Sequence, residues 1–296
     1  MQVRDMKQIL GDPLFKNGFM LCHTNALITR EPIKILDYCK TAAGKPQWKI
    51  AQWCSRYNLA NCTEFACPDA SYEYRDEGKS FRVYPGKGKI TLSLSASKEY
   101  DRPRKESESW PHILLEQEFT EKIRLCETEE IISEVSFSID KYRNAMTPEE
   151  RTMLHTAQFQ WFIAVRNENE KSEGFGDFFW FGLPFWDYPR YDFPPAFRAV
   201  DGGKEEHTGK FIDIVDGRDI LDNPVILGEK THISVPIRER IREGFLIAKK
   251  NGFLKTSEWE DMYLGNTNIG FEVTGTFDVE VTINNINIFV KEGKKR

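Results

Sequence analysis

Between Trp110 and Phe119 the chain reads Trp-Pro-His-Ile-Leu-Leu-Glu-Gln-Glu-Phe. With a two-residue period, Ile113, Leu115, Gln117 and Phe119 share one face, and Trp110, His112, Leu114, Glu116 and Glu118 share the other. Two carboxylates two residues apart on a strand stand roughly 6.5–7 Å apart. Glycosidases place their acid and base across a gap of about 5–9.5 Å. Glu116 and Glu118 are therefore candidate hydrolytic carboxylates. His112 is a candidate base for a lyase, in which Gln158, Gln160 and Arg166 would neutralise a uronate. Against this stands the plain alternative of a solvated strand carrying two glutamates and an ordinary histidine.

Two further strands bear on binding. In Ala157–Arg166, Phe159, Trp161, Ile163 and Val165 form an apolar face, while Gln158, Gln160 and Arg166 lie opposite. In Phe178–Trp186 both faces are aromatic, with Trp180 and Trp186 opposite Phe179, Phe181 and Phe185. The loop that follows adds Asp187, Tyr188 and Tyr191 among prolines. A sugar ring has apolar C–H faces that stack on flat aromatics and a rim of hydroxyls that needs paired donors and acceptors. Trp110, Gln158, Gln160, Arg166, Trp180, Trp186, Asp187, Tyr188 and Tyr191 are accordingly the expected ligand-binding set. Read one at a time, these residues are equally ordinary as core tryptophans, solvated amides and a proline-stiffened loop.

Other chemistries find little footing. His155, His207 and His232 are solitary, with no zinc-ligand spacing. Asp213-Ile-Val-Asp-Gly-Arg-Asp219 lacks the alternating ligand ladder of a calcium loop. No nucleophile elbow, phosphate loop or dinucleotide fingerprint occurs, so no cofactor and no metal are expected. With 41 basic and 46 acidic side chains the net charge is −5, which argues against a nucleic-acid partner. The longest bulky apolar run, Phe178 to Trp186, is half the length of a spanning helix, so no membrane partner is expected either. The first residues show no signal-peptide pattern, and the expected location is cytoplasmic unless a leader has been removed. The six cysteines form no C-x-x-C pair and are expected to be free and mostly buried. The Asn61-Cys62-Thr63 sequon matters only in a secretory setting. Oligomeric state is not legible.

Period-two runs dominate the elements that must position these residues. Thr91–Ala96, Glu134–Asp140 and Phe277–Asn284 alternate cleanly, and Asn284-Asn285 breaks the last of these before Ile286, Ile288 and Val290, as a bulge or tight turn would. Strands are also expected over Trp48–Tyr57, Phe81–Tyr84, Ile113–Phe119, Phe211–Val215 and Thr231–Val235. Helices are expected over Pro236–Asn251, from Thr147 to about Leu154 behind a capping-box pattern, and near Pro32–Lys40. Ten or more strands with two or three short helices predict an all-β, two-sheet antiparallel sandwich of jelly-roll type. The chain reads as one domain over 1–296, with 1–80 an N-terminal extension that contributes strands.

Glu99-Tyr-x-x-Pro-Arg104 followed by Trp110–Gln117, then Gly174–Pro184 and Asn268–Asp278, resemble the β-jelly-roll proteins of carbohydrate metabolism. These are of the concanavalin-A-like lectin and glucanase kind or the galactose-binding-like kind. The resemblance covers roughly residues 80–290 and implies a glycan groove on one sheet, with a structural calcium in some members. The Glu-x-Asp-x-x-Glu strand motif of laminarinase-like glucanases is absent; Glu116-Gln-Glu118 lacks its Asp and third carboxylate. The expectation is binding of an oligo- or polysaccharide, with glycoside hydrolysis or polysaccharide lysis in the same groove as the alternative. A structural domain meeting a protein partner is the second alternative.

Overall fold

The computed structural model describes residues 5–293; the Lys-rich end Gly293-Lys-Lys-Arg296, expected from its sequence to be a frayed tail, lies outside them from 294 on. In chain order the strands are β1 (Lys7–Gln8), β2 (Phe19–Leu21), β3 (Lys34–Leu36), β4 (Trp48–Ala51), β5 (Thr63–Ala66) and β6 (Tyr72–Arg75). Next come β7 (Lys79–Tyr84), β8 (Lys89–Ser95), β9 (His112–Arg124), β10 (Thr128–Asn144), β11 (Ala157–Asn167) and β12 (Phe178–Tyr188). The last are β13 (Phe197–Val200), β14 (Phe211–Ile214), β15 (Thr231–Pro236), β16 (Met262–Val273) and β17 (Phe277–Glu292). Two α-helices occur among the described residues, α1 (Ala96–Glu99) and α2 (Arg238–Lys250).

The strands form two sheets. One has eight strands in the order β15-β10-β17-β8-β7-β6-β5, with β1 also on β17. The other has nine, in the order β13-β14-β12-β11-β16-β9-β4-β2-β3. The inner faces carry the predicted alternation: Phe159, Trp161, Ile163 and Val165 of β11 and Val279, Val281 and Ile283 of β17 are fully or almost fully buried. This is the expected all-β sandwich. It departs from pure antiparallel pairing at two places, where β12 runs parallel to β14 and β2 parallel to β4. Strands of the first 84 residues belong to both sheets.

The Asn284-Asn285 break is a bulge. Asn285 takes φ 52°, the register shifts opposite Glu134 and Ser136, and Ile283 and Ile286 both stay buried across a change of parity. Other local expectations fail for local reasons. At Thr147 the Glu150 carboxylate does accept the Thr147 N–H at 2.8 Å, yet the chain makes only turns there and no helix follows. The 32–40 segment is β3 and turns rather than a helix, with Tyr38, Cys39 and Lys40 all at positive φ. The strand from Trp48 ends at Ala51. All six cysteines are free, but Cys22 alone is buried.

Candidate functional site

The outer face of the nine-stranded sheet forms the floor of a groove of about 1240 Å³. Cross-strand register lays out its floor in rows running β9-β16-β11-β12. The outermost is Glu118, Asn266, Ala164 and Trp180. The next is Glu116, Asn268, Phe162 and Gly182. Then come Leu114, Gly270, Gln160 and Pro184, and last His112, Glu272, Gln158 and Asp187. The period of two that buries Ile269, Phe271 and Val273 turns Asn268, Gly270 and Glu272 outward. Loops carrying Trp53 and Cys54, Met153 and Leu154, Tyr191, and Lys204 to Thr208 form the walls.

Glu272 is the most heavily contacted carboxylate in the groove. Trp110 Nε1 and His112 Nε2 both donate to its Oε2 at 3.1 Å, and Gln160 Nε2 stands 3.5 Å from Oε1. Burial by itself pushes this carboxyl up. His112, the Lys204 ammonium and the Trp110 N–H outweigh burial and hold Glu272 well below the usual carboxylate range. The imidazole of His112 is pushed down, first by burial and then by Lys204, so it is neutral at pH 7. Its Nε2 proton bonds Glu272, which leaves no lone pair there for Lys204; the ammonium 3.1 Å away is a close contact instead. Lys204 also sits 4.3 Å from the Trp110 ring centre, a cation–π contact.

Glu116 is the opposite case. It is 9% exposed, no donor hydrogen-bonds it among the described residues, and burial raises its pKa from 4.5 to about 7 against the pull of Lys49. Glu118, two residues on, is drawn down by the hydrogen bond from Lys49 Nζ at 2.7 Å, and its side chain is 72% exposed at the rim. Between Glu116 and Glu272 on these two strands stand Leu114 and Gly270, which pair across the ladder. Gly270 carries no side chain, and an added Cβ would stand 2.2 Å from the Ile113 carbonyl oxygen. Leu114 beside it lies flat in an apolar patch with Cys22, Ala51 and Trp53.

The structure brings Trp110, His112, Glu116, Glu118, Gln158, Gln160, Arg166, Trp180, Asp187 and Tyr191 to this one groove. Asp187 is held by the Thr156 hydroxyl and by Gln158 Nε2 at 3.0 Å. Trp186 lines the groove too, but a register shift between Phe159 and Gln160 pairs it with core-facing Phe159, so its indole also packs on Phe271 and stacks on Tyr188. Tyr188 is corrected: it lines a separate cleft of about 300 Å³ with Tyr142. Phe119, expected inside, is half-buried: it packs against the core and also reaches the groove, where the register is interrupted between Glu118 and Ile123. Sequence reasoning missed Glu272, Asn268, Lys49, Trp53 and the Lys204–Glu206 wall. The alternation around Ile269 and Phe271 was enough to place Asn268 and Glu272 outward; the loop residues carried no such signal. Among the described residues no group of three or more His, Cys, Asp or Glu side chains could hold a metal ion, and no helix is long and apolar enough to cross a membrane.

No family model and no curated protein sequence matches this chain. Solved structures similar to it include a meso-active, thermostable variant of the Cel12A cellulase of Rhodothermus marinus, at 9% identity over 82% of this chain and 100% of that one, TM-score 0.43. The family 12 xyloglucanase from Bacillus licheniformis is similar at 13% identity over 78% and 97%, TM-score 0.43. The family 11 xylanase from Neocallimastix patriciarum is similar at 7% identity over 80% and 98%, TM-score 0.38. Likeness at this distance carries no argument about activity.

Proposed function

We propose that the groove holds an oligo- or polysaccharide and that the protein hydrolyses a glycosidic bond in it. The observation that carries this reading is the presence of Glu116 and Glu272 on neighbouring strands of one groove floor, titrating in opposite directions. One carboxyl is protonated near neutrality and the other is held ionised, the split that acid and base roles require. Their backbone positions lie four residues apart along neighbouring strands, about 13 Å by strand rise. Of the two glycosidase geometries, so wide a separation is nearer the inverting one, in which a water stands between the carboxyls.

In this reading a sugar ring rests on Leu114 and Trp53, with Gln160 and Asn268 bonding its hydroxyls. Glu272 takes a proton from water as the oxygen attacks the anomeric carbon. The glycosidic C–O bond breaks, and Glu116 gives its proton to the leaving oxygen. His112 does not touch substrate; it orients Glu272. Glu118, tied to Lys49 at the rim, takes no proton. The groove is concave and lined by amides and carboxylates, whereas a protein-docking face would offer a flat apolar patch.

The test is incubation with a panel of linear and branched glycans, following reducing ends and the anomer first released. New ends of inverted configuration are expected. Binding without any release would leave a carbohydrate-binding protein and refute hydrolysis.

A further inference from the structure

We infer that residues 201–210 form a hinged strap that roofs the groove over Gln160 and Glu272 and decides which glycans reach them, an inference that rests on the glycan reading above. The contacts lie on both sides of the floor. On the β12 side Trp180 Nε1 donates to Thr208 Oγ1 at 3.3 Å. On the β9 side Lys204 meets Trp110 and His112, Ser109 Oγ donates to Glu206 Oε2 at 2.5 Å, and the Glu206 carboxyl rests against the Cys54 thiol. β11 and β16 lie between those sides, so a chain that touches both passes above their outward residues. Gly202, Lys204, Glu206, His207 and Thr208 line the same cavity as Gln160 and Glu272.

The strap is built to lift. Its feet are pinned where Asp201 N donates to Lys210 O at 2.8 Å and where Lys210 Nζ bonds Asp177 at 2.7 Å. Just inside them, Gly203 and Gly209 take φ 78° and 67°, conformations that suit glycine and let the segment swing. No backbone hydrogen bond ties 202–207 to the floor among the described residues. The latches are side chains alone, Lys204, Glu206 and Thr208, and a lid held by side chains opens without breaking a strand ladder. With the strap down, a short oligosaccharide enters end-on, but a long polymer must wait for the strap to rise. Lys204 and Glu206 are therefore the residues that set length selectivity.

Cys54 supplies the test: Glu206→Cys puts a thiol short of Cys54 by about the length of the lost carboxyl, too far for a direct disulfide but within the span of a short bis-methanethiosulfonate cross-linker. The cross-linker should bridge the two thiols and dithiothreitol should release it. The locked form is expected to associate with polymer at least about tenfold more slowly, a full decade in rate, while binding a tetrasaccharide of the same sugar normally. Reduction should restore the polymer. Unchanged polymer association in the locked form, or failure of the cross-link to form, overturns the strap. If neither wild type nor the reduced variant binds any glycan, the groove reading fails, and acrylamide quenching of Trp110, referenced to Trp110→Phe, still judges the strap. Quenching should rise in Lys204→Ala and fall in the locked form; equal quenching in all three overturns it.

Discussion

Glu116 and Glu272 sit on neighbouring strands and titrate in opposite directions, and that difference makes residue-scale predictions. Removing the acid by Glu116→Gln should lower cleavage about 10²–10⁴-fold, as loss of general catalysis does, and Glu272→Gln should be at least as severe. Glu118→Gln should leave the rate within a few-fold, because its carboxylate is committed to Lys49 in solvent. Should Glu118→Gln be the crippling variant in a turnover assay, the roles assigned here are wrong. The rate should be level in mild acid and decline as pH rises through about 7, where Glu116 ionises. Stability follows the same sign. A carboxyl whose folded pKa is raised stabilises the fold below its ordinary value, and that stability is lost as pH climbs through the folded value. Between 4.5 and about 7 the loss amounts to about 3 kcal/mol. Chemical denaturation at pH 5 and pH 8 should show it in the wild type and not in Glu116→Gln.

At the scale of the element, parity decides what the groove contains. Ile113 and Leu115 face inward and His112, Glu116 and Glu118 outward, so simple alternation sufficed for β9 as far as Glu118. It sufficed for Gln158, Gln160 and Trp180 as well. It failed where a strand bulges, because one extra residue turns every later side chain over. That is why Trp186 and Phe119 both pack against the core while also reaching the groove. Nothing in local sequence announces such a shift, since it is set by the partner strand. The capping pattern at Thr147 failed in the same way: the first turn forms, but no apolar helical face follows to hold a second. Glu272 was legible by the rule that placed Glu116, whereas the arrival of Lys204 over Trp110 depends on tertiary folding. Gly270→Ala tests the element directly. Its Cβ would collide with the Ile113 carbonyl, so a loss of roughly 1–3 kcal/mol is expected in denaturant melts. Cleavage should fall with it; a variant of wild-type stability would show that the β9–β16 approach is looser than described.

Over the whole molecule, the groove wall is tied to the sandwich by a buried ionic cluster. Lys79 Nζ bonds Asp76 and the Tyr57 carbonyl at 2.7 Å and lies 3.3 Å from Glu99, and Lys79 and Glu99 are buried. Glu99 in turn accepts from Ser55 Oγ and Arg56 N at 2.6 Å. The loop after Trp53 and Cys54 is thereby fixed to β7 and α1, and the first 80 residues are part of the site's support. Glu99→Ala takes one of two carboxylates from the buried ammonium, leaving Asp76, and removes the acceptor of Ser55 Oγ and Arg56 N; it should cost about 1–3 kcal/mol, read as a lower denaturation midpoint, and an unchanged midpoint would mean the wall stands without it. The central claim is that this groove cleaves glycans by opposed carboxyls. Its most direct measurement is proton NMR of the first sugar product released by the wild type and by Glu272→Gln from whichever glycan the panel identifies. The account predicts the inverted anomer from the wild type and no product from Glu272→Gln. A retained anomer, or undiminished release by Glu272→Gln, would contradict it.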